Sequence, residues 1–304
     1  MPTQRGEGVE RSSEHLRGVA LVTAATVLWS TAAVYVRLLA LDVWTVQAWR
    51  SLFGALSLFV VIAARHGRDT PRAFVSIGWK GLAVVPASAI SMGAYVAALR
   101  LTTVANVMVV YATAPLIAAA VAYCWIGERI TRRTVIASLV ALAGIAVMAG
   151  NATRAGDIAG NALSFVMTLC FAVLLVMARR YPDLAMAPIN ALGAALVAAV
   201  CWPLMPRGVP SAGELAILAL FGATTMGLAY LLVLTGGRRI PSSEAALIGL
   251  LDVVLGPFWV WFLFGERPGT AAVIGGGLVL GALVWYLAGG RSGGARSSTT
   301  AASG

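Results

Sequence analysis

Two charged residues interrupt long apolar stretches of this sequence, and their side chains have the clearest chemistry. Asp252 lies about ten residues into an apolar run, and Arg50 lies close to the start of another, in WRSLFGALSL. A carboxylate in such a place takes up a proton or neutralises the amine of a ligand, unless it only bonds a neighbouring hydroxyl. The long arginine side chain either anchors its segment at a water interface or binds a carboxylate. Which role applies depends on the segments that hold these residues.

Composition identifies those segments as membrane spans. Of 304 residues, 60% are hydrophobic and 11% are charged, with a mean hydropathy of +0.87, whereas a soluble domain has about 25% charged residues. The apolar blocks are continuous and about 20 residues long, as expected for helices that cross a hydrocarbon layer of about 30 Å. We therefore predict an all-α integral membrane protein with ten spans, at 18–39, 43–64, 79–99, 105–126, 134–150, 160–178, 185–203, 214–234, 243–264 and 271–288.

The sequence repeats itself once. A shift of 138 positions aligns the Gly-Glu-Arg at 127–129 with the Gly-Glu-Arg at 265–267, and a shift of 142 aligns GVALVTAAT from Gly18 with GNALSFVMT from Gly160. Each copy contains five predicted spans. The predicted units are a cytoplasmic tail at 1–17, five-helix repeats at 18–150 and 160–288, and a tail at 291–304. The polar residues 1–15 and 291–304 are expected to be disordered.

Five is an odd number, so the second repeat must cross the membrane in the opposite direction to the first. With a cytoplasmic amino terminus, 16 of the 22 basic residues fall in cytoplasmic segments and 5 in outer loops, and Arg50 lies in a span. The positive-inside rule then places both termini in the cytoplasm. An inverted repeat with a path between its halves is the architecture of secondary transporters.

Several segments, in this order and spacing, carry a resemblance to a known family. They are WSTAAVYVRLL in the first span, Arg50 opening the second, APLIAAAVAYCWIGER around Pro115, and EAALIGLLDVVLGPFWVWFLFGER near the end. With its ten spans in two halves, the chain resembles the EamA-type transporters of the drug/metabolite transporter superfamily along nearly its whole length. The resemblance implies a carrier of the bacterial inner membrane, commonly an exporter of amino acids or other small metabolites.

The resemblance also implies an arrangement of the spans. Spans one to four and six to nine would surround a central cavity, and spans five and ten would lie outside. Relatives often have Glu-Pro where this chain has Asp252-Val253, so we expect Pro257 to supply the kink of span nine. Gly277 and Gly281 in span ten have the spacing of a close helix-packing contact, or else face lipid.

Three glutamates lie at predicted span ends. Glu244 is expected to be solvated and to help start span nine. Each Gly-Glu-Arg is expected to end a helix at its glycine and to keep Glu128 or Glu266 beside its own arginine at the membrane edge, with a gate as the alternative role.

Uncharged polar and aromatic residues inside the spans complete the candidate site. A few polar groups converging in an apolar cavity suit a small organic ligand. Packing or an interhelical hydrogen bond is the alternative role for each of them. The candidate substrate-binding or coupling residues are Asp252, Arg50, Trp29, Ser30, Gln47, Ser91, Tyr95, Tyr111, Asn190, Tyr230 and Trp259, with Thr224 and Thr225 beside them.

The sequence argues against catalysis. His15 and His66 lie in cytoplasmic segments, and Asp252 has no partner acid at membrane depth. No phosphate-binding loop, ion filter or charge ring is evident, and we expect no metal or cofactor. A small multidrug-type pump would need a glutamate in span one, which has none.

The predicted function is therefore secondary transport of a small organic metabolite. Export of amino acids or related compounds is the first hypothesis, and drug efflux or facilitated uptake is the alternative. The expected partners are the substrate and the lipid bilayer, with no nucleic acid despite the net charge of +10, in a monomer or homodimer.

Overall fold

Long apolar helices account for the regular structure of this protein. The computed structural model describes residues 3–102, 104–149, 158–206, 208–265 and 269–296, and every regular element among them is helical. The α-helices are α1 (Thr3–Ser30), α2 (Ala32–Leu38), α3 (Val43–His66), α4 (Thr70–Val75), α5 (Gly78–Leu82), α6 (Val85–Leu101), α7 (Val104–Tyr111), α8 (Ala114–Ile126), α9 (Arg132–Ala149), α10 (Ile158–Arg180), α11 (Met186–Cys201), α12 (Ala212–Phe221), α13 (Ala229–Gly237), α14 (Ser242–Gly249), α15 (Leu251–Phe264) and α16 (Thr270–Arg296).

Nine helical stretches in the described part of the chain are long and apolar enough to cross a membrane. They are Ser13–Leu38, Val43–Val75, Asn106–Ile126, Arg132–Ala149, Ile158–Arg180, Met186–Leu204, Ala212–Gly237, Ser242–Phe264 and Thr270–Ala288. This confirms a helical protein with many spans but falls short of the predicted ten. The predicted third span, 79–99, is divided between α5 and α6, and α6 has 17 residues. Pro86 lies in the first turn of α6, where proline starts a helix and cannot continue an earlier one.

Helical structure extends into both predicted tails. The first helix begins at Thr3 and the last ends at Arg296. The structure therefore has helix at residues 3–15 and 291–296, where disorder was expected. Starting a helix is costly but lengthening one is cheap, so a span helix readily continues beyond the membrane.

Helices from the two halves alternate around a closed ring. Neighbours in the ring are α1, α12 and α13, α3, α11, α6, α10, α8, and then α14 and α15, which return to α1. Each helix of one half thus lies between two helices of the other. α9 and α16 pack against each other outside this ring, as expected for spans five and ten.

The two sequence alignments correspond to equivalent contacts in three dimensions. A Cβ added to Gly18 would lie 2.7 Å from Cγ2 of Ile240, and one added to Gly160 would lie 2.6 Å from Cβ of Thr102. Gly160 follows Gly18 by 142 positions, and Ile240 follows Thr102 by 138. The part of α1 around Gly18 therefore packs on the residues after α13 in the same way that the start of α10 packs on the end of α6.

These equivalent contacts lie at opposite ends of the ring. Glu244, at the start of α14, contacts His15, near the start of the membrane-spanning stretch Ser13–Leu38, and also interacts with Arg179 at the end of α10. The end of α10, and not its start, is therefore beside the start of this stretch. The repeats are inverted, and we call the face at which the stretch Ser13–Leu38 begins the N-terminal face.

The repeated Gly-Glu-Arg ends a helix in both halves, as predicted for its glycine. Gly127 and Gly265 have φ values of 68° and 72° and stand directly after α8 and α15. Glycine adopts this left-handed conformation without a Cβ clash and so terminates the helix.

Spans four and nine are each interrupted near the middle, and the interruptions are also repeat-related. Span four breaks at residues 112–113, just before Pro115, and span nine breaks at Leu250. No proline is present at the second break. The amides of Leu250 and Val253 instead bond carbonyls three residues back, which is the tighter 3₁₀ pattern. The break lies at Leu250, and Pro257, which was expected to supply the kink, lies farther along inside α15.

The contact between α9 and α16 depends on different glycines from those expected. A Cβ added to Gly144 would lie 2.7 Å from the carbonyl oxygen of Gly275, whereas Cβ atoms at Gly277 and Gly281 would meet nothing within 4 Å. The packing interpretation of Gly277 and Gly281 is therefore wrong. The two backbones come closest where glycine removes side chains from both helices.

Candidate substrate site

Four aromatic side chains form a continuous row inside the ring. Ring centroids are 5.2 Å apart for Tyr230 and Trp29, 5.8 Å for Trp29 and Phe171, and 6.2 Å for Phe171 and Tyr111. The first two pairs meet edge to face, a favourable geometry for aromatic groups. The row draws two residues from each half of the chain, so it joins the repeats across the ring.

Hydrogen bonds fix the polar edges of this aromatic row. The Tyr230 hydroxyl lies 3.0 Å from Oγ of Ser91, and Nε1 of Trp29 donates to the carbonyl oxygen of Thr225 at 2.8 Å. Thr225 belongs to a π-helical segment, Gly222–Leu228, between α12 and α13. A π segment displaces carbonyls from the α-helical pattern and is frequent at functional sites. Span eight is thereby tied to both α1 and α6.

Arg50 points into the bundle, beside the aromatic row. Its guanidinium carbon lies 4.7 Å from the centroid of the Phe221 ring, and its charge acts on the hydroxyls of Tyr95 and Tyr230. No described carboxylate pairs with it, and its Nε is buried without a hydrogen bond. The interpretation of Arg50 as an interfacial anchor is therefore wrong. A buried cation without a partner anion is a candidate for binding an anionic group.

Asp252 lies directly after the break in span nine, in the first turn of α15. Its side chain lies deep in the bundle and keeps some accessible surface. The charge of Asp252 acts on Tyr95 and Tyr111, and no described group bonds or pairs with the carboxylate. The alternative role, a carboxylate bonded to a neighbouring hydroxyl, has no support among the described residues.

Tyr95 connects the two charged residues, because it interacts electrostatically with both Arg50 and Asp252. The site therefore places a cation and an anion near one tyrosine, in a region bordered by the aromatic row. Such a region suits a small solute that carries both charges.

Other predicted residues are used between helices instead. Trp259 Nε1 donates to Oγ of Ser30 at 2.8 Å, and Gln47 Nε2 donates to the carbonyl oxygen of Met92 at 3.2 Å. Ser88 donates to Oδ1 of Asn190 at 2.7 Å. Thr224 and Thr225 use their hydroxyls mainly on carbonyls of their own span. The interhelical role that was the alternative for Ser30, Gln47, Asn190 and Trp259 is thus present in the structure.

The glutamates at the span ends differ from expectation. Glu244 is only 4% exposed, and its carboxylate lies 3.1 Å from Nε2 of His15, so its predicted solvation is wrong. Glu128 approaches Arg179, at 3.5 Å, and not the adjacent Arg129. Glu266 and Arg267 of the second tripeptide lie outside the described residues.

A family comparison agrees with the repeat and the fold. The model of the EamA-like transporter family matches residues 16–150 and matches again at 157–288. The chain belongs to the EamA-like transporter family. It is thus a multi-pass membrane protein of a transporter family, as its composition and helices indicate.

Solved structures support the fold of this EamA-like transporter. One, titled "Crystal structure of protein", superposes with a TM-score of 0.74 at 22% sequence identity and covers 90% of this chain and 96% of its own. At this identity the likeness concerns the fold alone. No protein with a curated function matches the chain.

Phe171 is the residue of the site that the sequence analysis missed. It lies in α10, between Trp29 and Tyr111. A single phenylalanine in an apolar span has no polar group that distinguishes it from its neighbours in the sequence. The repeat would have identified it, because the shift of 142 positions places Phe171 on Trp29. In this EamA-like transporter, equivalent residues of the two repeats thus meet at the site.

Proposed function

We propose that this EamA-like transporter moves zwitterionic metabolites, and that it exports amino acids or related compounds by alternating access. The observation that carries the proposal is the pair of Arg50 and Asp252, which have opposite charges, no described charge partner, and a shared neighbour in Tyr95. An α-amino acid has one carboxylate for Arg50 and one ammonium for Asp252. A dicarboxylate would be repelled by Asp252, and a simple amine would leave Arg50 without a counter-ion.

The proposed topology is ten spans with both termini in the cytoplasm of a bacterium, in its inner membrane. α6 serves as the third span: its 17 residues rise about 26 Å, close to the hydrocarbon thickness of about 30 Å. Units 18–150 and 160–288 are then five-helix repeats of opposite direction. The N-terminal face, where most arginines lie, is the cytoplasmic face. A monomer contains the whole ring, and a homodimer would add a contact between rings.

The alternative functions are efflux of lipophilic cationic drugs and facilitated uptake. The aromatic row favours the first of these, since aromatic faces attract cations. A lipophilic cation would use Asp252 and the aromatic row but not Arg50.

Transport in liposomes tests the proposal. The purified protein would exchange a labelled amino acid in competition with three matched series: amino acids, their decarboxylated amines and their deaminated acids. We expect the amino acids to compete best. Arg50→Gln should weaken recognition of the carboxylate, and Asp252→Asn that of the ammonium, each by about tenfold or more, because a buried charged partner is lost. Arg50→Lys and Asp252→Glu, which keep the charges, are the matched controls.

Two outcomes contradict the zwitterion proposal. Equal competition by amines and amino acids, with no effect of Arg50→Gln, would favour drug efflux. Equal competition by all three series would show that neither Arg50 nor Asp252 contributes to substrate recognition. Amino-acid accumulation in the medium of expressing cells, measured by mass spectrometry, separates export from uptake.

A further inference from the structure

Four helix segments from both repeats meet on the N-terminal face. They are the part of α1 that carries His15, at the start of the stretch Ser13–Leu38, the end of α8, which is followed by Glu128, the end of α10, which carries Arg179, and the start of α14, which carries Glu244. We call these four residues the end cluster. It contains none of the residues that form the proposed substrate site.

Glu128 is directed at the start of α14. Gly127 ends α8 in the left-handed conformation and turns the chain beside α14, where the backbone N–H of Ser242, the first residue of α14, acts on the Glu128 carboxylate. Its Oε1 also lies 3.5 Å from Nη1 of Arg179. An anion at a helix amino terminus is stabilised by the unpaired N–H groups and by the helix dipole.

The surroundings of Glu128 strengthen these contacts. Its side chain is 19% exposed and that of Arg179 is 31% exposed, so water screens them less than a surface pair. Burial raises the pKa of Glu128 above its ordinary value, and the Arg179 cation opposes that change. One carboxylate oxygen of Glu128 remains buried without a hydrogen bond. The ionised Glu128 carboxylate is therefore stabilised by the Arg179 cation and by the amino terminus of α14.

The rest of the end cluster holds the same helix from its other side. Glu244, in the first turn of α14, pairs with His15 of α1, and Arg179 acts on Glu244 as well as on Glu128. Arg179 thus stabilises the carboxylates of both Glu128 and Glu244, which would repel each other without this cation. α14 is consequently attached to α1, α8 and α10 at once.

The helix held in this way is the half of span nine that leads to Asp252. All eight residues of α14 are buried, whereas α15 buries Val253 and Gly256. The break at Leu250 separates the two halves, so α14 can move without carrying all of α15. α14 therefore lies between the end cluster and Asp252 along span nine.

We propose that Glu128 is a positioning residue that holds the N-terminal face closed by binding the start of α14, with Arg179 as its partner. Opening of that face requires the carboxylate to leave Ser242. The first Gly-Glu-Arg is then more than a helix end: its glycine directs the chain and its glutamate joins the repeats. The role of this contact in transport rests on the proposed alternating access. The experiment that tests the contact does not depend on that proposal.

Cysteine accessibility tests the inference without any substrate. Cys124, Cys170 and Cys201 would be replaced by alanine, and Ala246→Cys would place one thiol in the buried middle of α14. A membrane-impermeant maleimide would be added to sealed vesicles of either sidedness, so that the side of entry is recorded. Glu128→Gln should raise the labelling rate from the N-terminal face by about fivefold or more, the lower range of a conformational coupling.

Matched variants separate positioning from general loosening. Glu128→Asp keeps the charge and should label at an intermediate rate, and it also serves if Glu128→Gln does not fold. Asp69→Asn removes an exposed carboxylate of the same face that pairs locally with Arg72, and it should leave labelling unchanged. Gel filtration of each purified variant reports folding.

Unchanged labelling in Glu128→Gln, or an equal increase in Asp69→Asn, would overturn the inference. An increase from the opposite face would overturn it too. The proposed function fails separately: if labelling responds as expected but no amino acid is transported, the positioning role stands and the substrate assignment falls.

Discussion

Trp29 and Phe171 occupy equivalent positions of the two repeats, and their rings meet edge to face with centroids 5.8 Å apart. An inverted repeat brings such residues together only near its pseudo-symmetry axis. The aromatic row is therefore central to the ring, between the two halves that must move against each other during transport. Arg50 and Asp252 approach this row from opposite halves of the chain.

Phe171→Leu should weaken substrate binding while leaving the fold intact. The substitution keeps an apolar side chain but loses the ring contacts that hold Trp29 and Tyr111 in position at the site, each worth about 0.5–1.5 kcal/mol. We expect the apparent affinity in the liposome exchange assay to fall about three- to tenfold. Phe165→Leu, on the exposed side of the same helix, is the control and should bind as the parent does. Equal effects of the two substitutions would remove the aromatic row from binding.

Asp252→Asn should abolish the dependence of transport on a proton gradient. Asparagine has nearly the shape of aspartate but cannot gain or lose a proton, so exchange of labelled substrate should continue at substrate concentrations high enough to offset the weaker binding, while uphill transport stops. The measurement is a series of external pH values in both modes. If the variant responds to pH as the parent does, Asp252 has no part in coupling.

Gly144→Leu should destabilise the protein through the contact between α9 and α16. The added side chain would meet the backbone of Gly275 and the side chain of Leu278, and overpacking of this kind costs about 1–3 kcal/mol. Thermal unfolding in detergent should show a lower midpoint. Gly277→Leu is the matched control, because a side chain there meets open space. If only Gly277→Leu lowered the midpoint, the contact between α9 and α16 would depend on Gly277 and not on Gly144.

Gly127→Ala should lower stability by about 1 kcal/mol, because alanine resists the left-handed backbone that Gly127 adopts at φ 68°. No neighbouring atom lies within 4 Å of the added methyl group, so the cost is conformational alone. Gly213→Ala, in the first turn of α12 and equally open, should instead be neutral or stabilising. Thermal unfolding midpoints of the two variants, measured in the same detergent as the parent, check the direction of each predicted change in stability.

Much of the architecture is readable from the sequence because it is local or periodic. Continuous apolar blocks predict helices that cross a membrane, and Gly127 and Gly265 end their helices through a property of glycine itself. The shifts of 138 and 142 positions predict which residues are equivalent, including the contacts of Gly18 and Gly160. The depth of Asp252 follows from counting residues along one helix.

The directions in which side chains point, and the residues with which they pair, could be learned only from the tertiary structure. Glu244 pairs with His15 from 229 positions away, and Glu128 meets Arg179 in preference to its neighbour Arg129. Arg50 had two roles open to it, because its long side chain reaches either the interface or the interior, and the packing of Phe221 against it settles the direction. The sequence by itself determined the spans, the repeat and the residues with useful chemistry, since these depend on composition and spacing. Only the tertiary structure decided which of those residues lie near one another inside the ring, because that depends on contacts between helices distant along the chain.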